Sequence, residues 1–400
     1  MPKLLQINIV ANWGSTGRIA EEIGQLAISK GWESYIAYGR GKPQSQSNLI
    51  RIGSNLDVYS HVIQTRLFDN HGLASNNATK KFINKIEEIK PDIIHLHNVH
   101  GYYINYQILF SYLKQRNIPI VWTLHDCWAF TGHCAHFEFI NCNKWKSQCN
   151  ECPKHNSYPQ SLFDFSRRNH KAKKEAFLGL SNMVIIPVSS WLDNLVHQSI
   201  LSYYQTKVIH NGVNNDLFVP IINNNIRNKY KLGNRFLIIA VSSFWTARKG
   251  YNDILKLNDL IDHEKYQIVL VGLSKKQIND IPQSIIGIQR TDSIQELVEL
   301  YSTSNVFINP TWEDTFPTTN LEALSCGTPV ITYQTGGSPE AIDEKTGFVI
   351  SKGDVNAMYE AIKNVYNGDI NREDCRKRAI SLYNKNSCYS KYIELYNSLL

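Results

Sequence analysis

An apolar run, an acidic loop and a short helical segment follow one another in Val306-Phe-Ile-Asn-Pro-Thr-Trp-Glu-Asp-Thr-Phe-Pro-Thr-Thr-Asn-Leu-Glu-Ala-Leu-Ser-Cys-Gly-Thr-Pro-Val-Ile331. The apolar run predicts a strand, and the Ala/Leu segment around Glu322 predicts a helix that ends at Gly327. A second strand begins at Val330. Strand, loop, helix and strand in this order form a βαβ unit. The acidic loop therefore lies at the carboxyl end of a strand, where open α/β sheets bind ligands.

Three carboxylates lie in this segment, on Glu313, Asp314 and Glu322. An ionised carboxylate only accepts hydrogen bonds, so it suits a ligand that is rich in hydroxyl groups. A ribose or a hexose supplies such donors in pairs. The segment thus predicts a site for a sugar or for the sugar of a nucleotide.

Strand-like and helical stretches alternate in two series along the 400 residues. This length exceeds what one core usually supports, so we expect two domains. The alternation predicts an α/β protein with two doubly wound, Rossmann-like domains that face each other across a cleft. We place the first domain at 1–204, with a cysteine-rich insertion at about 127–153, and the second at 205–385. A C-terminal helix at 386–400 is expected to pack back on the first domain.

The formal net charge of +7 fits an anionic substrate or a membrane surface, and proves neither. No apolar run approaches the roughly 20 residues of a spanning helix, and the N-terminus lacks the layout of a signal peptide. We therefore expect a cytoplasmic protein. The basic segment Arg167–Lys174 predicts contact with anionic lipid headgroups at the inner face of the plasma membrane, or with a lipid-linked pyrophosphate. A solvated helix face is the alternative for this segment.

Two loops have the composition of phosphate-binding loops. Gly14-Ser-Thr-Gly17 joins the first strand to the first helix, where a helix N-terminus favours an anion; a tight turn is the alternative. Arg248-Lys249-Gly250 follows a later strand, where two cations can clamp a pyrophosphate; the alternative is a solvated basic turn. Neither loop has the G-x-G-x-x-G pattern, so a nicotinamide enzyme is disfavoured.

Histidines and cysteines are the remaining candidates. His125 and Asp126 end a strand of the first half, and both a structural and a catalytic role stay open. His95 and His97 share a strand face, but a metal site is disfavoured because no carboxylate or cysteine lies close by in sequence. Four cysteines fit either a structural zinc site or a set of free buried thiols: Cys134, Cys142, Cys149 and Cys152.

Taken together, these motifs resemble the family 4 retaining glycosyltransferases, which adopt the GT-B fold. The similarity is greatest to the branch that builds bacterial capsule, O-antigen or exopolysaccharide repeats. The motifs that carry it are Gly14-Ser-Thr-Gly-Arg18, Asp92-Ile-Ile-His-Leu-His-Asn98, Thr123-Leu-His-Asp-Cys-Trp-Ala-Phe-Thr-Gly-His-Cys134, Val208-Ile-His-Asn-Gly-Val213, Arg248-Lys249-Gly250, the acidic loop up to Gly327, and Thr335-Gly-Gly-Ser-Pro-Glu340.

The resemblance implies a retaining hexosyltransferase with no catalytic metal, and the sequence contains no D-x-D motif. Its expected partners are a nucleotide diphosphate sugar as donor, a glycan or lipid-linked oligosaccharide as acceptor, and an anionic membrane, with no nucleic acid. Two alternatives stay open. A nucleotide-sugar epimerase of the same architecture needs no acceptor. A zinc-containing nucleic-acid-binding protein would leave the acidic loop unexplained.

The family's paired acids are spaced E-x7-E, which Asp314 and Glu322 match. Glu313 lies one residue earlier, so the first acid is either Asp314 or Glu313. Lys249 matches the pyrophosphate-binding lysine, and Arg248 replaces an arginine that usually stands five residues before it. His125 matches a histidine that touches the transferred sugar.

The resemblance implies three groups of site residues. Catalytic roles are predicted for His125, Asp126, Arg248, Lys249 and Asp314. The donor site is predicted to comprise Gly14, Gly17, Asn211, Ser242, Arg248, Lys249, Glu313, Asp314, Phe316, Thr318, Thr319 and Glu322. The acceptor side is predicted to include His97, His100, Arg167 and Lys171.

Overall fold

The computed structural model describes residues 1–223 and 225–400. They form two compact units, one of residues 1–210 and 388–400 and the other of residues 211–387. Each unit is built on one parallel sheet, and helices connect the strands. The predicted α/β class with two doubly wound domains is confirmed.

The sheet of the first unit is parallel throughout. Its strands are β1 (Lys3–Asn8), β2 (Glu33–Tyr38), β3 (Asn48–Arg51), β4 (Ile93–Leu96), β5 (Ile120–Leu124), β6 (Met183–Pro187) and β7 (Gln205–Thr206). Their order is β3-β2-β1-β4-β5-β6-β7. The central strands are buried on both faces, as their near-continuous apolar sequences require.

The helices of the first unit are α1 (Gly14–Ser29), α2 (Asn55–Phe68), α3 (Asn76–Ile89), α4 (Tyr106–Leu113), α5 (Ser166–Phe177) and α6 (Ser190–Val196). Between β5 and α5 lies the cysteine-rich insertion. It contains short 3-10 turns at Trp128–Phe130, Glu138–Ile140 and Lys144–Lys146.

The second unit repeats the same architecture. Its strands are β8 (Phe236–Val241), β9 (Tyr266–Val271), β10 (Ile285–Ile288), β11 (Val306–Asn309), β12 (Val330–Tyr333) and β13 (Gly347–Ile350), in the order β10-β9-β8-β11-β12-β13. Its helices are α7 (Asn225–Lys229), α8 (Tyr251–Leu260), α9 (Lys275–Asp280), α10 (Ile294–Thr303), α11 (Thr318–Ser325), α12 (Val355–Tyr366) and α13 (Arg372–Tyr383).

A last helix, α14 (Lys385–Leu399), returns the chain to the first unit. Tyr389, Tyr392 and Tyr396 recur at helical spacing, so they share one face of the helix. That face is buried in the core of the first unit, where it packs with residues such as Ile23. The hydroxyl of Tyr392 lies 3.0 Å from Thr123 Oγ1 on β5. The end of the chain thus completes the first core.

The first unit extends to His210, beyond the boundary predicted after Tyr204. Two contacts explain the difference. Strand β7 pairs with β6, and Ile209 packs in the core of the first unit. The apolar stretch Lys207–Val213, at the junction of the two units, forms no strand.

The strand order of each sheet reverses beside its first strand. The reversal lies between β1 and β4 in the first unit and between β8 and β11 in the second. Open α/β sheets bind ligands outside the carboxyl ends of strands at this point. Most of the predicted site residues follow these four strands or their neighbours.

Within residues 1–223 and 225–400, no helix has both the length and the apolar character that a membrane span requires.

Candidate functional site

Two loops at the switch point of the second sheet pack directly on each other. One follows β8 and contains the short 3-10 turn Ala247–Lys249; the other follows β11. The backbone N–H of Trp312 donates to the carbonyl oxygen of Arg248 at 2.8 Å. Gly250 has φ +80°, and a Cβ atom there would lie 2.1 Å from the carbonyl oxygen of Pro310. Only glycine permits this close approach.

Lys249 and Asp314 form an ion pair between these two loops. The ammonium Nζ lies 2.7 Å from Oδ2 of the carboxylate, and the two side chains are 22% and 21% exposed. A partly buried pair is screened by solvent and salt less than a surface pair is. An ammonium has three N–H donors, and the carboxylate of Asp314 needs only one of them. The pair can therefore also receive an anion.

Arg248 contacts the neighbouring acid, Glu313. Its Nη1 donates to the backbone carbonyl of Glu313 at 3.3 Å, and its Nε lies 3.8 Å from the carboxylate. The side chain of Glu313 is only 1% exposed. Asp314 is thus the more accessible of the two candidates for the first acid.

Helix α11 points its N-terminus toward the loop that carries these acids. It begins at Thr318, behind Pro317, and no described side chain caps its first turn. Uncapped N–H groups at a helix N-terminus favour an anion. Glu322, one turn further along, is almost fully buried, and its carboxylate accepts a hydrogen bond from the hydroxyl of Tyr301 at 3.1 Å.

Two other predicted donor residues, Asn211 and Ser242, hold the backbone of these loops. The side-chain amide of Asn211 donates to the carbonyl oxygen of Phe316 at 3.2 Å, and Phe316 is itself buried. The hydroxyl of Ser242 donates to the carbonyl oxygen of Phe244 at 2.8 Å. Ligand contacts by these side chains stay predictions.

A third loop, which follows β12, meets the backbone of Asp314. Gly336 has φ +53°, and a Cβ atom there would lie 1.7 Å from the carbonyl oxygen of Asp314. A larger residue at this position must displace one of the two loops. Gly336 therefore fixes the position of the acid that holds Lys249.

In the first unit, the two predicted glycines form a tight turn at the start of α1. The helix begins at Gly14, whose φ is +63°, and Trp13 gives it no side-chain cap. The N–H of Asn12 donates to the carbonyl oxygen of Gly17 at 3.0 Å, and a Cβ atom at Gly17 would lie 3.0 Å from a methyl group of Val10. This geometry is compatible with both interpretations of the loop, as a tight turn and as a helix N-terminus that binds an anion.

The structure brings His97 and His125 together at the carboxyl ends of β4 and β5. His97 Nδ1 lies 3.0 Å from His125 Nε2, and His97 Nε2 lies 3.0 Å from the amide oxygen of Gln6. Burial lowers the pKa of His125 to about 4, although the charge of Asp126 acts in the opposite direction. The sequence prediction omitted Gln6. The sequence signal that could have indicated Gln6 was its position as a polar residue inside an apolar strand.

A second pair joins His100 and Asp126. His100 Nε2 lies 3.0 Å from Oδ2 of Asp126, and the backbone N–H of Trp128 donates to Oδ1 at 2.9 Å. Burial acts to raise the pKa of Asp126, but the charge of His100 and its hydrogen bond outweigh it and lower the pKa to about 2. Asp126 is therefore an ionised, oriented carboxylate at neutral pH.

The basic segment Arg167–Lys174 does not form one continuous charged face. Lys173 is fully buried, and its ammonium donates to the carbonyl oxygen of Trp128 at 2.6 Å. Burial lowers the pKa of Lys173 to about 7. Arg167 and Lys171 remain exposed on α5. Only part of the predicted lipid-binding face is thus available.

The insertion has its own small aromatic core. Phe130, Phe137 and Trp145 are buried and in ring contact, with centroids 4.9 Å apart for Phe137 and Trp145. These three rings form a small core. No helical or strand periodicity links the three residues, so the sequence pattern did not indicate it.

None of the four cysteines of the predicted zinc site forms a disulfide in the described part of the chain. The thiols of Cys134 and Cys152 share a hydrogen bond, which lowers the pKa of Cys152 to about 6 against the effect of burial. Across the described ranges, no group of three or more His, Cys, Asp or Glu side chains is arranged to hold a metal ion.

Zinc at Cys134, Cys142, Cys149 and Cys152 stays a prediction. It requires one zinc ion per purified chain, and chelation should lower the unfolding temperature, because structural zinc contributes folding free energy. Elemental analysis of protein purified without added metal makes the measurement. Zinc-free protein whose unfolding does not change on adding zinc would contradict it.

Two family profiles match the chain. The profile described as Glycosyltransferase Family 4 matches residues 16–217, and the one described as Glycosyl transferases group 1 matches residues 222–382. Among related sequences is the putative colanic acid biosynthesis glycosyl transferase WcaC of Escherichia coli K12. It is 23% identical over 380 residues, which cover 90% of each protein.

Solved structures of low sequence identity share the fold. Sucrose-phosphate synthase from Thermosynechococcus elongatus aligns over 100% of this chain and 99% of its own, with a TM-score of 0.75 and 17% identity. Anabaena HepE, in complex with UDP-glucose, aligns over 99% of both chains with a TM-score of 0.69 and 14% identity. At these identities the likeness concerns the fold alone.

Replacing Gly336 by alanine tests the contact between its loop and Asp314. Gly233 is a matched control, because its φ of +60° is similar but a Cβ atom there meets nothing within 4 Å. Gly233→Ala should lower the free energy of unfolding by about 1–2 kcal/mol through backbone strain alone. Gly336→Ala should lower it by at least ~2 kcal/mol more, since a loop must also move. Urea unfolding measures both, and equal losses would contradict the close contact.

Proposed function

Because this chain belongs to glycosyltransferase family 4 and is therefore a retaining glycosyltransferase of the GT-B fold, we propose that it transfers a sugar from a nucleotide diphosphate sugar to a hydroxyl of a glycan or lipid-linked acceptor. The name of its relative WcaC supports a role in surface polysaccharide biosynthesis. HepE, a neighbour in fold, is described with UDP-glucose, which supports a nucleotide-sugar donor. The epimerase and nucleic-acid alternatives are not favoured.

The observation that carries the donor proposal is the ion pair of Lys249 and Asp314 beside Glu322. A nucleotide sugar presents anionic phosphates and hydroxyl-rich rings at neighbouring points. The second unit offers cations and carboxylates at one switch point, together with the uncapped start of α11. This combination suits such a ligand better than it suits a purely anionic or purely neutral one.

In the proposed reaction, the bond from the anomeric carbon to the diphosphate breaks, and the bond to the acceptor oxygen forms on the same face of the sugar. The acceptor proton passes to a phosphate oxygen of the donor. Negative charge grows on the departing diphosphate, so cations stabilise this step most. Lys249 and Arg248 supply them. Both residues sit on the loop that Gly250 allows to approach β11.

We assign the first acid to Asp314 and the second to Glu322. Asp314 is the more exposed acid, and its ion pair orients it toward the phosphate-binding lysine. Glu313 is buried against Arg248, which suits a supporting role for its carboxylate. Glu322 would hold the ribose hydroxyls. Pro317 lacks an N–H, so the N–H groups of Thr318 and Thr319 are assigned to the donor.

The first unit supplies the groups assigned to the transferred sugar and the acceptor. His125 is assigned to a hydroxyl of the transferred sugar. The ionised Asp126, oriented by His100, is assigned to acceptor hydroxyls, because a carboxylate accepts hydrogen bonds from them. The turn at Gly14 and Gly17 is assigned to the donor phosphates.

Lys249→Ala tests the donor assignment. A thermal-shift screen against UDP-, GDP-, dTDP- and ADP-sugars first identifies the nucleotide, since a ligand that binds the folded state stabilises it. With that donor, Lys249→Ala should lower kcat about 100- to 1,000-fold, the usual loss when one charge-stabilising donor is removed. Turnover of the donor sugar measures it. Lys276→Ala, an exposed lysine of α9, is the matched control and should be unaffected.

Substitutions of the two acids can be compared in the same assay of sugar turnover. Asp314→Asn should lower kcat as Lys249→Ala does, with little change in the free energy of unfolding. Glu313→Gln should act mainly on the free energy of unfolding, because its carboxylate is buried against a guanidinium. Near-normal turnover of Lys249→Ala, or the reverse pattern for the two acids, would remove these residues from their assigned places.

We also propose a membrane contact through α2, whose amphipathic pattern is inverted. Its buried residues are the polar His61 and Thr65. Its exposed face carries Leu56, Tyr59 and Ile63, which are 80%, 66% and 57% exposed. Exposed apolar patches of this kind mark interaction sites rather than ordinary surface.

The segment after Gln160 extends this face. Leu162 donates its N–H to the carbonyl oxygen of Arg66 at 2.8 Å, at the C-terminal end of α2, and its side chain is exposed, as is that of Phe163. Arg66 is exposed on α2, three residues after Ile63, and Arg167 is exposed at the start of α5, four residues after Phe163. Apolar side chains next to cations complement an anionic bilayer, where each cation contributes about 1 kcal/mol.

Vesicle sedimentation tests this contact. The protein should sediment with vesicles of phosphatidylglycerol and phosphatidylcholine, and much less with phosphatidylcholine alone. The double substitution Tyr59→Asp, Ile63→Asp should abolish sedimentation, because two carboxylates enter the apolar face. Ile222→Asp is the control, at an isoleucine of the second unit that is even more exposed than Ile63. If the double variant sediments as the wild-type protein does, the membrane contact is refuted. It is also refuted if the wild-type protein binds no vesicles and is instead a dimer that the double substitution converts to a monomer.

A further inference from the structure

A buried glutamine begins a chain of hydrogen bonds in the first unit. Gln6 lies on β1 and is fully buried. Its Nε2 donates to the backbone carbonyl oxygen of Ala20 at 2.8 Å. A carbonyl oxygen can only accept, so the NH₂ end of the amide must face Ala20. The amide oxygen of Gln6 is therefore directed the other way, and the usual ambiguity in the orientation of an amide is removed.

The next link is His97. Its Nε2 lies 3.0 Å from the amide oxygen of Gln6. An amide oxygen only accepts, so Nε2 of His97 must carry the proton. Burial, followed by the charges of His95 and His125, lowers the pKa of His97 well below its ordinary value. The ring is thus neutral at pH 7, and its Nδ1 holds a lone pair.

That lone pair determines the state of His125. His97 Nδ1 lies 3.0 Å from His125 Nε2. Two lone pairs at this distance would repel each other, so His125 must carry its proton on Nε2. Burial keeps the ring of His125 neutral, with a pKa of about 4. Its other nitrogen, Nδ1, is consequently the acceptor end of the ring.

We propose that Gln6 is a positioning residue which, through His97, fixes the tautomer of His125 so that Nδ1 accepts a hydrogen bond from a hydroxyl of the transferred sugar. This rests on the proposed function for the identity of the sugar ligand, but the tautomer itself does not. The consequence for specificity is chemical. The transferred sugar must present an O–H donor to His125, and a deoxy analogue at that position loses the contact.

The neighbouring His95 shows that the relay is specific to one histidine pair. His95 is also fully buried, but its Nε2 lies 2.8 Å from Thr123 Oγ1 and its Nδ1 lies 2.6 Å from the hydroxyl of Tyr396. Hydroxyl groups both donate and accept, so they can adapt to either tautomer of His95. An amide oxygen cannot adapt. Gln6 therefore imposes a state on His97, whereas Thr123 imposes none on His95.

The test reads the tautomer directly. In protein labelled with ¹⁵N-histidine, long-range ¹H–¹⁵N spectra distinguish a protonated from a bare ring nitrogen, and His125→Gln assigns the signals of His125. The wild-type protein should show His125 protonated on Nε2. Gln6→Met keeps the size of the side chain but removes the acceptor. It should give a mixture of both tautomers at His125 and lower kcat/KM about tenfold, the equivalent of one lost hydrogen bond.

Thr123→Val is the matched control, because it removes a buried hydrogen bond from His95 instead. It should lower stability as Gln6→Met does, yet leave the tautomer of His125 unchanged. A wild-type His125 protonated on Nδ1, or a Gln6→Met protein with unchanged His125 signals, overturns the proposal. The spectra need no substrate. If the protein transfers no sugar at all, the proposed function fails, while the tautomer result still decides the relay.

Discussion

The contact between the loops after β8 and β11 is the constraint on which the rest of the second unit's site depends. Two backbones approach so closely there that glycine is required at Gly250, and the loop after β12 approaches Asp314 as closely at Gly336. The approach brings Lys249 within 2.7 Å of Asp314, although 65 residues separate them in sequence. Each charge then limits the other's freedom. The sheet thus presents an oriented cation and an oriented carboxylate, which the contact between the two loops keeps together.

The first unit uses the same location in its sheet and a different chemistry. Its switch point is occupied by neutral imidazoles whose proton positions follow from one amide, that of Gln6. Because burial keeps these rings uncharged, the direction of their hydrogen bonds, rather than their charge, determines which ligand groups they can recognise. Asp126, oriented by His100, keeps a formal charge there. The two units therefore offer different chemistry at corresponding places in their sheets, charged groups in the second and uncharged imidazoles in the first.

The elements of the acidic segment could be predicted because local patterns determine them: an apolar run for β11, and a helical segment with a glycine stop for α11. The pairs within the site could not, since they depend on where distant loops meet. Lys173 shows how tertiary structure overrides a local pattern, because a lysine in a basic run is buried over Trp128. Helix α2 shows the reverse case, in which apolar residues at helical spacing face outward. Gln6 was recognisable only as a polar residue in an apolar strand, a signal that does not name its partner.

The return of α14 to the first core bears on how the protein matures during synthesis. Residues 388–400 are translated after the whole second unit, yet Tyr389, Tyr392 and Tyr396 fill the same core as Ile19 and Ile23. The residues of the second unit, 211–387, are contiguous and emerge earlier. Domains generally fold as units and in the order in which they appear. Here the core of the unit that is translated first stays incomplete until residues 388–400 have followed the second unit out of the ribosome.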